Sequence, residues 1–438
     1  MVRVVFGALL LVVCCSANVF GQAASSPFSA FGIGEYNGSA TAPQQGMGGV
    51  GVSNPQYLFI NTLNPALLVF NGGAKDFQGG LTGFQAGILG EKRTISDNSN
   101  KDKAMGGNLN YLAICFPIKK TKWVTAITSM PYSTINYKFS YTQPVPDQPD
   151  TLHFLEKGTG GINQVAWSNG VAITRKISVG AKASYLYSTI ENSFTNTVAL
   201  GQQTLLFQPD VHQRYYYKGF QFQGGISVHL DSLFDKNNKN KNYVMNFGAT
   251  YDFQSDLKTD YLQTLIRTDA SGTAVTTDTL VTNSSGKTSI PSIMQAGISF
   301  GRISTATTWM FAIDGRMTDY TKFGYLPTQE TPTTKGWRLA SGFEITPNLA
   351  GFGGYLKAIT YRVGASMEKY PYLVNGTALK DLGTNFGLSF PLRGCSIDLA
   401  GRVGRRGTID ANTITEKYFK IYFGVTFNDR WFVKRKFD

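Results

Sequence analysis

The segment Tyr418–Phe427, YFKIYFGVTF, alternates without a break. Phe419, Ile421, Phe423, Val425 and Phe427 share one parity, and Tyr418, Lys420, Tyr422, Gly424 and Thr426 share the other. Successive side chains of a strand point to opposite faces, so this is a ribbon with one oily side and one wet side. Its ten residues are also what a tilted strand needs to cross a hydrocarbon core. A soluble sandwich edge would read the same way, so the weight falls on recurrence.

The pattern recurs near 76–90, 104–119, 121–141, 159–175, 176–194, 213–231, 241–258, 289–303, 305–319, 335–347, 357–368, 380–391 and 394–404, and ends with 414–427. The fold class expected is therefore all-β, a transmembrane antiparallel β-barrel of about fourteen strands. One set of connections is mostly short, as at Lys119–Thr121, Arg175–Lys176, Ile303–Thr305 and Pro391–Gly394; the members at 231–241 and 347–357 are longer. The other set is longer and more polar: 91–103, 142–158, 195–212, 259–288, 320–334, 369–380 and 405–414. Barrels of this class place short turns in the periplasm and long loops outside, and an even strand number returns both termini to the periplasmic side.

Composition agrees. The 438 residues hold 48 Gly and 13% aromatics but only 16% charged residues. The net charge of +13 comes from Lys and Arg scattered along the chain, apart from the Arg430–Lys436 end, so no nucleic-acid partner is expected. Arg3 followed by the apolar run Val4–Val13 and the small residues of Gly21-Gln22-Ala23 reads as a signal peptide over 1–23. Cys14 and Cys15 fall in that leader; Cys115 and Cys395 each sit in a strand pattern, and whether they pair is left open. No run beyond the leader has the length of a membrane helix, so a closed barrel is the available way to span.

The charges inside strands sharpen the reading. In 308–319 the oily parity is Trp309, Phe311 and Ile313, and Asp314 and Arg316 oppose it. Arg338 and Glu344 oppose Trp337, Leu339, Phe343 and Ile345; Arg362 and Glu368 oppose Ile359, Tyr361, Val363 and Met367; Asp398 and Arg402 oppose Ile397, Leu399 and Val403. All eight charges take the non-oily parity, as a lumen requires, because a charge on the lipid face costs ~2–4 kcal/mol near the midplane. Equal numbers of acids and arginines fit a paired network bracing wall and interior; the four guanidiniums also fit a substrate carboxylate. Gln221, Gln223 and His229 oppose Phe220, Phe222, Ile226 and Val228 in the same way.

Residues 24–75 lack long alternation. They contain Phe31-Gly32-Ile33-Gly34-Glu35, the small-residue stretch Gly46–Gly51 and Asn64-Pro65-Ala66. Gly46, Gly48 and Gly51 match G-x-G-x-x-G formally, but no βαβ unit surrounds them and position 71 is Asn, so a dinucleotide site is excluded. In their order these features resemble the N-terminal hatch of the FadL-type outer-membrane transporters of long-chain fatty acids and other hydrophobic compounds. The resemblance implies a plug over 24–75, with Asn64, Pro65 and Ala66 as its motif, inside a barrel over 76–427. It also gives a meaning to Pro131, which interrupts the third strand: FadL-type barrels kink inward there and open sideways. A bend at the barrel rim is the other reading of Pro131. The basic, aromatic tail at 428–438, Gly160–Gln164 and Tyr361–Gly364 are similar to FadL-like barrels of Bacteroidetes.

No enzyme is expected. The chain has three His, none with a nucleophile at strand spacing on its own face, and neither a metal ion nor a cofactor is implied. The expected function is passive passage of long-chain fatty acids or other hydrophobic small molecules across the outer membrane. The alternative that the resemblance carries is an interaction barrel of protein secretion, of the PorV type. Expected partners are outer-membrane lipid, a hydrophobic substrate, the outer-membrane assembly machinery and a possible protein partner.

Overall fold

The computed structural model describes residues 23–71, 81–119, 122–144, 151–200, 203–204, 208–230, 242–269, 273–304, 306–321, 323–324, 333–348 and 353–429. The leader up to Gln22 and the tail from Arg430 lie outside the described residues.

Fourteen antiparallel wall strands form one closed sheet. They are β1 (Thr82–Ser96), β2 (Lys101–Lys119), β3 (Trp123–Pro131 and Ser133–Pro144), β4 (Thr151–Ala172), β5 (Ile177–Leu200), β6 (Gln208–His229), β7 (Tyr243–Asp252 and Ser255–Thr268), β8 (Ala274–Ile290 and Ser292–Arg302), β9 (Thr308–Asp319), β10 (Lys335–Thr346), β11 (Thr360–Val374), β12 (Thr377–Leu392), β13 (Cys395–Arg406) and β14 (Thr415–Asp429). β14 closes on β1 through an unbroken ladder from Thr415–Ser96 to Asp429–Thr82.

The alternation of the quoted segment is realised. Phe419 and Ile421 face outward while Tyr418, Lys420 and Tyr422 are buried inside. Trp337, Leu339, Phe311, Ile313, Val363, Leu399 and Val403 are likewise exposed on the outer face, where lipid would cover them.

Two expectations are corrected. The stretches 142–158, 195–212 and 259–288, read as outer loops, are largely strand, since β3 to β8 run far past the apolar belt. Their pattern escaped notice because the inner face changes character there. On β6 the inward residues pass from Gln223 and Gln221 to Tyr217 and Tyr215. Above the belt water lies outside, so the apolar side chains turn inward. Tyr132, Ile135 and Tyr137 of β3, Ile162, Leu186 and Ile190, Tyr215 and Tyr217, and Leu257 and Tyr261 pack with Ile33 into one apolar core. Phe28, Tyr320, Tyr370, Tyr372 and Leu379 form a second. The second correction concerns continuity: β7 and β8 break as well as β3, at Phe253-Gln254 and at Pro291.

Residues 24–71 lie inside the wall and are mostly buried. They form short turns, the helix α1 (Ala42–Gly46) and the 3₁₀ helix Pro65–Phe70. α1 starts with a capping box, in which the Thr41 side chain and Gln44 satisfy each other's backbone donors. Gly48 and Gly49 follow with φ +77° and +78°, left-handed values that only glycine adopts without strain.

Candidate functional site

The interior is organised by charge. Glu35, on the buried N-terminal segment, meets Arg93 of β1 at 2.7 Å, Arg406 of β13 at 2.8 Å and Lys420 of β14 at 3.0 Å. Around this carboxylate Arg93 also pairs with Glu91 at 2.8 Å and Glu416 at 3.2 Å. Asp381 holds Arg402 at 2.7 Å and Arg406 at 3.1 Å. Four acids and four bases thus form one buried, nearly neutral network. Burial alone would raise the Glu35 carboxyl, but the Arg406, Arg93 and Lys420 charges more than offset it and hold it well below the usual carboxylate range. Beside it, burial pushes the Tyr36 phenol up to about 12, and the Arg316 guanidinium stacks over its ring at 4.9 Å.

The eight strand charges singled out by parity all turn inward or stand on the inner face, and protein groups engage each of them. Asp314 accepts hydrogen bonds from the backbone N–H of Gly51 at 2.6 Å and of Val52 at 2.8 Å. Arg316 and Arg338 share Glu368, and Arg338 also donates to the Gly48 carbonyl. Arg362 pairs with Glu344 at 2.9 Å and lies over the Phe59 ring at 5.3 Å. Asp398 accepts from Ser389, and Arg402 donates to Asp381 and to the Tyr418 hydroxyl. Glu91, Arg93, Asp381, Arg406 and Glu416 are not among the strand charges that parity singled out. The signal was present: Arg406 lies four residues beyond Arg402 on the same face, and Lys420 belongs to the wet face of the quoted ribbon.

Asn64-Pro65-Ala66 sits against a floor of wall glycines. A Cβ at Gly170 would lie 2.4 Å from the Pro65 carbonyl, at Gly180 2.4 Å from the Ala66 nitrogen and at Gly225 2.4 Å from Asn64 Oδ1. Asn64 caps the 3₁₀ helix by accepting from the Ala66 N–H at 3.0 Å, while its amide donates to Val52 at 2.8 Å and across to Ile226 at 3.1 Å. Cys115 is buried and accepts from the Asn71 amide at 3.2 Å; Cys115 and Cys395 are not bridged.

Pro131 marks a discontinuity in the wall. Below it β3 pairs with β2 from Leu112–Ser129 to Lys119–Trp123. Above it β4 is the one wall strand that β3 pairs with among the described residues, and Lys101–Asn110 of β2 has no ladder on that side among them. Across the gap, the edge of β3 is partly covered by the N-terminal segment: Glu35 and Tyr36 pair with Thr134 and Ser133, and the Ser26 N–H donates to the Asn136 carbonyl at 2.7 Å. Gly160 and Gly161, at φ +116° and +143°, let β4 bend past the break. The space behind the opening is a cavity of about 90 Å³ lined mainly by polar and charged groups, among them Glu35, Arg93, Arg316, Arg338 and Lys420, and it reaches Asn108 and Pro131.

Among the described residues no cluster of three metal-ligating side chains occurs and no helix is long and apolar enough to cross a membrane. His229 lies inside, edge-on to Phe70 at 4.5 Å.

The sequence model of the BamG family matches residues 1–438. No curated protein matches the sequence. Solved structures share the fold at low identity. The toluene transporter TbuX of Ralstonia pickettii is 12% identical with a TM-score of 0.53, over 90% of this chain and 99% of that one. A FadL homologue of Pseudomonas aeruginosa is 10% identical with a TM-score of 0.56, over 89% and 98%. The Pseudomonas putida toluene transporter TodX is 13% identical with a TM-score of 0.51, over 91% and 99%.

Proposed function

The chain belongs to the BamG family, and from that premise we propose that it is a plugged outer-membrane barrel that works by holding a protein partner in the handling of outer-membrane proteins. The observation that carries this reading is the free edge of β2 at Lys101–Asn110. Leu109 on that edge pairs with Ile88 of the outward apolar belt, so that end of the gap lies at membrane depth. Lipid offers backbone groups no hydrogen bonds, and a strand edge there is satisfied by another extended chain. The family designation points to the outer-membrane assembly machinery as the setting. In this reading residues 24–75 are the plug, the eight inward charges brace it, both termini face the periplasm, and Pro131 marks the opening rather than a rim bend.

A second reading rests on the fold shared with hydrophobic-compound transporters: such a compound, a long-chain fatty acid at the finest grain, passes through the side opening. The cavity weighs against it in this state. About 90 Å³ with mainly polar and charged walls is small beside the ~300–1,000 Å³ of ordinary ligand pockets and has the wrong polarity for an alkyl chain; the larger open hollow of about 660 Å³ over Pro131, Gly160 and Gly161 mixes Tyr185, Tyr187 and Tyr216 with Lys218 and Asp260. The two readings separate on one experiment. A photo-crosslinking residue is placed at Met105, which is 77% exposed on the free edge, and the protein is purified in mild detergent after irradiation of whole cells. A discrete protein adduct at near-stoichiometric yield supports the partner reading. No adduct, together with a co-purifying apolar ligand, overturns it in favour of passage.

A further inference from the structure

A groove of about 510 Å³ runs along the outer wall over β12, β13, β14 and β1. Its lower part is apolar, with Leu382, Val403 and Phe419 exposed on the lipid-facing side. Its upper rim is cationic. Arg405 stands directly across from Lys417, Lys417 from Thr94 and Thr94 from Lys103, so one rung of the sheet carries three like charges across four strands. Lys92 joins them, opposite Phe419. All four cations are exposed. Among the described residues no carboxylate lies within ion-pair distance of Arg405, Lys417, Lys92 or Lys103. Arg405 donates only a 3.3 Å hydrogen bond to the Thr415 hydroxyl. The acids adjacent in sequence, Glu91, Asp102 and Glu416, take the opposite parity; Glu91 is spent inside on Arg93, and Glu416 on Arg93 and Arg406.

Like charges directly opposite each other in a sheet are destabilising. A protein that buries balanced ion pairs within this wall leaves this rung uncompensated where the apolar belt ends. Lipid headgroups begin at that level, and their phosphates are the counter-charge available there. We propose that the groove is a binding site for a phosphate-bearing lipid of the adjoining leaflet. Its acyl chain lies along Leu382, Val403 and Phe419, and its phosphate lies against Arg405, Lys417 and Lys92. With the termini in the periplasm, as proposed above, this is the outer leaflet, and the ligand is a phosphorylated glycolipid. The groove straddles the β14–β1 seam, its phosphate-facing cations Lys92, Lys417 and Arg405 stand one, two and three strands from β2, and it does not depend on any protein partner.

The test uses the full-length protein in detergent with three probes: diphosphorylated lipid A, phosphatidylcholine, and inorganic phosphate at matched phosphate concentration. Lipid A is expected to be retained through native mass spectrometry and to raise the thermal midpoint, and the other two are not. The double variant Arg405→Gln/Lys417→Gln is expected to bind lipid A at least tenfold more weakly. Its midpoint without lipid should equal or exceed that of the parent, because the substitution removes repulsion; this establishes that it folds. Equal retention by parent and variant overturns the proposal. So does an equal response to phosphatidylcholine, which would make the groove a nonspecific acyl surface, or an equal response to inorganic phosphate, which would make the rung an anion site with no lipid specificity.

Discussion

At the scale of single residues, Glu35 ties the interior to the wall. It is one carboxylate serving Arg93, Arg406 and Lys420, all buried. Replacing one member of a buried ion cluster leaves the others uncompensated and costs about 3–5 kcal/mol. Glu35→Gln is therefore expected to release the N-terminal segment, read as a rise in ion conductance of the protein in planar bilayers; an unchanged conductance would show that other contacts hold the segment. The pH dependence has a definite sign. A carboxyl depressed in the folded state contributes stability that is fully present above its unfolded value, about 4.3. That contribution is lost as pH falls through the lower folded value. Conductance of the parent should rise only in strongly acidic solution, and the Gln variant should have lost that response. Much of this was readable beforehand in kind: parity alone sends Arg316, Arg338, Arg362 and Arg402 inward. It could not say which acid each would meet, because Glu35 and Arg406 are 371 positions apart and only ring closure brings them together.

Among elements, the glycines of the wall carry the fit. Gly170, Gly180 and Gly225 lie on three neighbouring strands, and a side chain at any of them would collide with Asn64-Pro65-Ala66. Gly180→Leu is expected to leave the barrel closed, judged by its heat-modifiable mobility on gels, while exposing the N-terminal segment to added protease. Protection equal to the parent's would mean that the segment does not seat there. The strands themselves were legible where lipid covers them, since only there does oily-out alternation mark each one, as in Phe419 to Phe427. Past the belt that pattern inverts, with Tyr215 and Tyr217 turned inward, so the far ends of β3 to β8 read as loops. Pro131 declared its break; the equivalent one at Phe253-Gln254 carries no proline and was invisible.

For the whole molecule, the proposed orientation puts the short turns in the periplasm and the tall strands outside. A protease site inserted in the 269–273 turn, at the far end of β7 and β8, is expected to be cut from outside in intact cells, whereas one appended after Asp438 is expected to be cut only after the outer membrane is permeabilised. The reverse result would invert the proposed topology, and with it the leaflet assigned to the lipid groove. The fold class was settled by recurrence of a single ribbon. What recurrence could not supply was the filling of the tall end by two apolar cores, which depends on the identity of inward residues across strands far apart in sequence.

The ladder between β14 and β1 sets an order in time. Arg93 is made with β1, but Arg406, Glu416 and Lys420 come only with β13 and β14. Glu35 therefore lacks two of its three partners until β13 and β14 are made, and the N-terminal segment cannot lock until β14 arrives. Contacts this distant in sequence form slowly. A chain that stalls or is cut before β14 would keep an open seam and a loose interior at once. Completion of the wall and fastening of its contents become a single late event, so maturation of this protein has one checkpoint, placed at its last strand.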